Sequence, residues 1–190
     1  MIVDSFKFLP RTFRPLYEGR GPFPGEEGPV WAPFQKRLAE SRIALLTSAG
    51  TYLKRSQLSF DLDRERTHPD WGDPGWRPIP AAAAPEDLGV AHLHINDEDL
   101  LADPEIALPM HLLGELASEG VVGGAVAEHV AVMGYQDRSL QDWRQKTAPE
   151  HASVMGYQDR ALRDWQHKTV PELVAHLRDQ VADGLILAPA

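Results

Sequence analysis

The stretch TVPELVAHLRDQVADGLILA, residues 169–188, decides the fold that the sequence predicts. Thr169 and Glu172 have the spacing of a capping box at the start of a helix. The residues that follow place an apolar stripe on one helical face: Val170, Leu173, Val174, Leu177 and Val181. GLILA at 184–188 then forms a short apolar run that indicates a strand. A helix followed at once by a strand is typical of α/β proteins.

Two further apolar runs and one further helix extend this pattern upstream. Ile43–Leu46 closes in the small residues of Thr47–Gly50 and predicts a short buried strand. Leu88–Ile95 predicts a second strand, and Pro109–Glu119 predicts a helix with Pro at its start. Because strands alternate with amphipathic helices, we expect an α/β fold with a mostly parallel sheet and flanking helices.

The first 42 residues are predicted to form a Pro/Gly-rich N-terminal arm. Many of the 15 glycines and 16 prolines fall before residue 86, and prolines recur through 10–33. Each proline removes a backbone donor and restrains the residue before it, which argues against a long helix or central strand. A short helix is predicted over Pro33–Glu40. Residues 1–190 then make a single α/β domain.

A formal net charge of −9 and the absence of cysteine limit the function. The acidic surplus provides no field that attracts phosphate backbones, so nucleic acid is not an expected partner. No apolar stretch approaches the ~20 residues that cross a bilayer, and the N-terminus lacks signal-peptide features. We therefore expect a cytoplasmic protein with no membrane partner. Without cysteine, these residues have no disulfide, thiolate metal site or cysteine nucleophile.

A tandem repeat is the most specific feature of the sequence. HVAVMGYQDRSLQDWRQKTAPE at 129–150 is followed directly by HASVMGYQDRALRDWQHKTVPE at 151–172, and 15 of the 22 positions are identical. Two copies are too few for a solenoid, so we interpret them as a local duplication within the domain. Only the second copy continues into the long apolar helix. The first copy is therefore predicted to be the excursion, a short surface helix that carries Leu140 and Trp143.

Five segments, taken in order, carry a family resemblance. They are LLTSAGTYLKRSQLSFD at 45–61, GDPGWRPIP at 72–80, VAHLHINDEDLLADPEIALPMHLLGELASEGVVGG at 90–124, EHVAVMGY at 128–135 and MGYQDRALRDWQHKTVPELVAHLRDQVADGLILAPA at 155–190. In this order they resemble the selenoprotein B family of the glycine, sarcosine, betaine and D-proline reductases. The resemblance implies reductive cleavage of a carbon–nitrogen bond in an amino acid or its N-methylated derivative. It also implies a selenocysteine or cysteine that draws electrons from dithiols.

The resemblance implies where the reactive residue lies. In the family it follows the strand that corresponds to Leu185–Ala188, and this chain ends at Ala190. We therefore expect a truncated relative that carries neither the reactive residue nor its resolving partner. Two explanations stay open: a selenocysteine codon read as a stop, or a short, divergent paralogue. The chain alone is expected to be inactive, and a protein partner is expected to provide the redox thiols.

Three histidines are predicted to line a pocket at the strand ends, as catalytic residues. His92 and His94 lie two apart near the end of a predicted strand, so both imidazoles fall on one face. Ligands of open α/β sheets bind at this end of the strands. His129 suits a general acid, because an imidazole titrates near neutral pH. His151 takes the equivalent place in the second copy, so the choice between His129 and His151 stays open.

Ser48, Asp97 and Trp76 are the predicted substrate-binding residues. The turn at Thr47–Gly50 suits an anion, such as a substrate carboxylate, bound by backbone amides. Trp76 with Trp71 suits cation–π attraction to a methylated amine, the alternative being that both only anchor a loop. The resemblance places Asp97 in the acidic turn after the histidines. The expected ligand is a small amino acid or a methylated amine.

No cofactor and no resident metal are predicted, and two other functions stay open. One is a non-catalytic binding or accessory subunit, in which the duplicated segment is an interaction surface. The other is a metal-dependent hydrolase, in which His92 and His94 bind zinc or iron with Asp97, Asp99 or His129. The hydrolase ranks last, because no third ligand and general base occur at a fixed spacing.

Overall fold

The computed structural model describes residues 33–68, 71–93, 95, 97–134 and 164–188, with only the backbone at 166. The arm before residue 33, His94, His151 and the predicted surface helix with Leu140 and Trp143 lie outside the described residues. Within the described part of the chain, no helix is both long and apolar enough to cross a membrane.

The described strands and helices alternate along the chain. In order they are β1 (Arg42–Thr47), β2 (Thr51–Leu53), α1 (Leu62–Thr67), β3 (Trp76–Pro80), β4 (Leu88–Val90), α2 (Asp97–Ala102), α3 (Met110–Ser118), β5 (Gly124–Ala125), β6 (Glu128–Val132), α4 (Val170–Asp179) and β7 (Gly184–Ala188). Short 3₁₀ turns cover Leu38–Glu40, Pro85–Asp87 and Pro104–Ile106, and a π-helical turn at Trp165–Thr169 leads into α4.

The central sheet has the order β3–β6–β1–β7. β1 pairs in parallel with β6 on one side and with β7 on the other. β5 pairs in parallel with the start of β1, ahead of β6, and β3 is antiparallel to β6. The predicted α/β fold with a mostly parallel sheet is confirmed.

Apolar side chains cover both faces of this sheet. On one face, Ile43 and Leu45 of β1 belong to the same buried cluster as Leu113 of α3. On the other face, Val130 and Val132 of β6 pack with Leu173 of α4. Since alternate residues of a strand point to opposite faces, the short apolar strands supply both layers. Helices therefore flank the sheet as predicted.

The second predicted strand is shorter than expected and lies outside the central sheet. Instead of continuing to Ile95, it ends at Val90 and pairs with β2 in an antiparallel ribbon, with Tyr52 opposite Gly89. A Cβ on Gly89 would lie 2.7 Å from the Tyr52 ring, so the absent side chain makes room for the aromatic ring. The Ala91 amide still donates to the Gly50 carbonyl (3.0 Å), so the backbone contact between the two segments extends one residue beyond Val90.

The helix predicted to begin at Thr169 begins earlier, and Thr169 is not its cap. Thr169 has helical backbone angles (φ −60°, ψ −50°), and its hydroxyl donates to the Pro74 carbonyl. The Glu172 carboxylate accepts a hydrogen bond from the Trp76 indole nitrogen (3.2 Å). Both side chains of the expected capping box therefore tie α4 to the segment that enters β3.

Of two further predicted helices, one is confirmed and the other is shorter than predicted. The helix predicted over Pro109–Glu119 is confirmed as α3. The helix predicted over Pro33–Glu40 is reduced to the single turn Leu38–Glu40, because Arg37 before it and Ser41 after it are extended.

The two repeat copies each contribute one part of the fold. Residues 129–132 of the first copy lie in β6, and residues 165–172 of the second copy form the π-helical turn and the start of α4. The prediction that the first copy is the excursion is wrong for its first residues, which lie in the central sheet. The physical reason is the alternation of His-Val-Ala-Val, which gives the α4 face two valines.

Gly50 joins the two sheets and tolerates no side chain. Its φ is +66°, and a Cβ would lie 2.1 Å from the Ala91 carbonyl oxygen. We expect Gly50→Ala to lower the free energy of unfolding by about 3 kcal/mol or more. Gly114→Ala, within α3 where a Cβ meets nothing within 4 Å, is expected to raise it by up to about 1 kcal/mol. Urea denaturation measures both, and equal stabilities of the two variants would contradict this account.

Candidate functional site

Three strand ends meet at one edge of the central sheet, which we call the carboxyl edge. Ser48 follows β1, Gly134 follows β6, and Ala188 ends β7. The Ser48 amide donates to the Ala188 carbonyl (3.3 Å), and the Gly134 amide donates to the Ser48 carbonyl (2.9 Å). Ser48 is thus fixed between the two strands that flank β1, at the edge where open α/β sheets bind ligands.

His92 reaches the same edge through the ribbon of β2 and β4. The Gly50 amide donates to the Val132 carbonyl (2.9 Å), and the Gly50 carbonyl accepts from Ala91, the residue before His92. The His92 side chain is buried. His92 lies beyond the end of β4, so strand alternation does not set its direction as predicted.

Trp76 also lies at the carboxyl edge, because β3 runs antiparallel and begins there. It is opposite Val132, the last residue of β6. Its ring centroid lies 4.9 Å from that of His176 on α4. Trp71 is buried, with the Arg64 guanidinium 4.3 Å from its ring centroid. The two tryptophan rings therefore have different contact partners within the protein.

The backbone amides of the turn after β1 have acceptors within the protein. The Ser48 and Gly50 amides bond to strand carbonyls, and the Ala49 amide donates to the Thr47 hydroxyl (3.2 Å). The predicted anion cradle of backbone amides is therefore wrong. A Cβ on Gly134 would lie 2.9 Å from the Ser48 Cβ, so the Ser48 side chain packs directly on this glycine.

Asp97 is the first residue of α2, and its side chain is exposed. Among the described residues, no group of three or more histidines, aspartates and glutamates is arranged to hold a metal ion. The metal-dependent hydrolase therefore has no supporting cluster in that part of the chain.

His129 lies inside the sheet, where its imidazole replaces a backbone acceptor. Its side chain is fully buried in β6, and its Nδ1 accepts a hydrogen bond from the Leu45 amide (3.2 Å). The register explains the contact: Ile43 is opposite Ala125, but Leu46 is opposite Val130, so two extra residues occur on the β5–β6 side. The imidazole fills the gap that this bulge leaves in the ladder.

Burial sets the protonation state of His129. Desolvation lowers the pKa of its imidazole from 6.5 to about 4, so the ring is neutral at neutral pH. Because Nδ1 accepts a hydrogen bond, the ring proton lies on Nε2, which has no hydrogen-bond partner among the described residues. As a neutral acceptor, His129 stabilises the register of β1 against β6.

Trp76 has partners on α4 that were not predicted from the sequence. His176 contacts its ring, Glu172 accepts from its indole, and the Glu128 carboxylate lies 3.9 Å from the His176 Nε2. One signal was available, since Glu172 and His176 are four apart and lie on the same side of a helix. Nothing in the sequence connected that side of the helix to Trp76.

The lowered pKa of His129 makes stability depend on pH. Between about pH 6.5 and pH 4 the unfolded chain binds a proton at this histidine and the folded chain does not, so acidification favours unfolding. We expect this site to remove about 3 kcal/mol of stability across that window. His129→Asn retains an acceptor without titrating, so its denaturation midpoint should fall less between pH 7 and pH 4. The same fall in both proteins would contradict the assignment.

Comparison with known proteins gives one partial similarity. No protein-family model and no solved structure matches the chain. D-proline reductase subunit gamma of Acetoanaerobium sticklandii is 30% identical over 106 residues, which are 56% of this chain and 40% of the relative. The chain thus spans less than half the length of this relative. The similarity supports a relationship to reductases of this kind.

Proposed function

We propose that the chain is a component of a reductase that cleaves a carbon–nitrogen bond in a small amino acid, with D-proline as the first candidate. The similarity to D-proline reductase subunit gamma is the observation that carries this proposal. The fold supports it, because strand ends bring Ser48, Trp76 and His92 to the edge where ligands of α/β sheets bind.

The chemistry requires a group that these residues lack. Opening the D-proline ring between Cα and nitrogen consumes two electrons and two protons and yields 5-aminopentanoate. A dithiol provides both and becomes a disulfide, by way of an attacking thiolate or selenolate. Because the 190 residues contain no cysteine, we assign the attacking group and its resolving thiol to a source outside them, such as a partner protein.

In this proposal, the role of the chain is to bind and orient the substrate. In this proposal the Ser48 hydroxyl donates to the substrate carboxylate, and His92, with His94, provides the proton for the departing nitrogen. Trp76 and Asp97 attract the cationic amine. His129 acts through the position of β1, whose end carries Ser48, and not by contact with the substrate.

A binding or accessory subunit without chemistry of its own is the second candidate. The absence of cysteine from the 190 residues favours it, and so does the similarity to a protein that is one subunit of a reductase. The two candidates differ in whether D-proline is reduced once the thiol partner is present.

Binding of D-proline to the purified chain tests the proposed site. Titration calorimetry is expected to detect binding of D-proline to the chain and to show that L-proline binds more weakly. Ser48→Ala should weaken D-proline binding about 10-fold to 100-fold, because it removes a hydrogen bond to a charged group. Ser118→Ala is the matched control: the Ser118 hydroxyl donates to the Glu115 carbonyl at an exposed position of α3, and binding should not change. Equal binding by the two variants would exclude Ser48 from the site.

Turnover separates the two candidate functions. With dithiothreitol alone, the chain is expected to form no 5-aminopentanoate, because it lacks the attacking group. Addition of the thiol-bearing partner should start turnover if the chain belongs to the reductase, and should leave bound D-proline intact if the chain only binds. Turnover by the isolated chain would contradict the assignment of the attacking group to an outside source.

A further inference from the structure

β7 is an edge strand whose apolar side chains are exposed on both faces. Among the described residues it pairs with β1 alone. Leu185, Ile186 and Leu187 are 41%, 50% and 63% exposed. Edge strands are normally protected from further pairing by a charged residue, a proline or a bulge, and residues 184–188 contain none of these. Within the described part of the chain, this strand therefore presents an unprotected edge.

The pairing of β7 with β1 determines which of its backbone N–H and C=O groups point outward at this edge. The Ala188 carbonyl accepts from Ser48, so the backbone of Ala188 faces β1. Because neighbouring residues of a strand face opposite sides, Gly184 and Ile186 also face β1, whereas the N–H and C=O groups of Leu185 and Leu187 face outward. Two residues thus present one donor and one acceptor each.

We propose that a second copy of this chain pairs with β7 in antiparallel fashion, about a two-fold axis at Ile186. The sequence Gly-Leu-Ile-Leu-Ala is nearly palindromic. Leu185 then lies opposite Leu187 of the second copy, and the outward N–H and C=O groups of both satisfy one another. The two central sheets become one continuous sheet. This inference does not depend on the proposed function.

Side-chain size fits this register at the strand ends. Gly184 lies opposite Ala188 of the second copy, so small residues meet at both ends. Phe34, which is 45% exposed, packs beside Gly184, where a Cβ would lie 2.9 Å from its ring. Gly184 is in register with Ile43, so Phe34 and Ile186 share one face of the sheet. The small Ala188 of the second copy leaves space for the Phe34 ring.

The charge near β7 also permits the pairing, although the chain as a whole is acidic. The net charge of −9 opposes association of copies. At this edge, however, the Asp183 carboxylate bonds both the Lys36 ammonium (2.7 Å) and the Arg42 amide (3.0 Å). The carboxylate nearest to the start of β7 is therefore already neutralised. The side chains of β7 itself carry no charge, so a strongly basic partner would find no complementary charge on the strand.

Sedimentation equilibrium of the full chain tests this interface. The wild-type protein is expected to associate to twice its mass of 21.1 kDa. Leu187→Lys puts a charge at the outward edge and should weaken dimerisation by about 100-fold or more, as lysine does on natural edge strands. Leu58→Lys makes the same substitution at a residue that is 86% exposed outside the strands, and should remain dimeric. A monomeric wild type, or equal behaviour of the two variants, would overturn the proposal.

A double variant tests the register itself. In the proposed pairing, residue 187 lies opposite residue 185 of the second copy, twice in each dimer. Leu185→Glu combined with Leu187→Lys therefore places opposite charges across the interface, and should restore part of the dimerisation that Leu187→Lys removes. Circular dichroism confirms that each variant is folded. No gain over Leu187→Lys in a folded double variant would overturn the two-fold register.

Discussion

The backbone of β1 is hydrogen-bonded to β6 on one side and to β7 on the other. This pairing on both sides determines where β6 and β7 end. β6 and β7 both run parallel to β1, so all three strands end at the same edge of the sheet. On the β6 side His129 provides an acceptor for the Leu45 amide, at the point where two extra residues interrupt the ladder. Burial keeps that acceptor neutral over the physiological range of pH.

Elements with a strong local pattern could be predicted from the sequence, whereas elements defined by their partners could not. The run at 184–188 and the helix at 110–118 have enough apolar periodicity to specify themselves. β6 begins with the polar residues Glu128 and His129, and β1 and β3 pair with it on either side. Thr169 has the spacing of a cap, yet a tertiary acceptor, the Pro74 carbonyl, takes its hydroxyl.

The candidate site shows the same division. Ser48 follows a strand that the sequence predicts, so its place at the carboxyl edge could be inferred from the rule that ligands bind at strand ends. His92 reaches that edge by a different path, through the close contact of Gly50 with Ala91. The buried position of His129 depends on a shift in strand register, which a single sequence does not reveal.

The division of the repeat between β6 and α4 has a genetic consequence. Because the units are direct repeats of 22 residues, recombination between corresponding codons excises one whole unit and preserves the reading frame. Joining Gly134 to Tyr157, for example, regenerates a single uninterrupted unit, with its start still in the strand and its end still in the helix. The connection between these elements can therefore shorten or lengthen by one unit over generations, while selection on the sheet leaves its flanks unchanged.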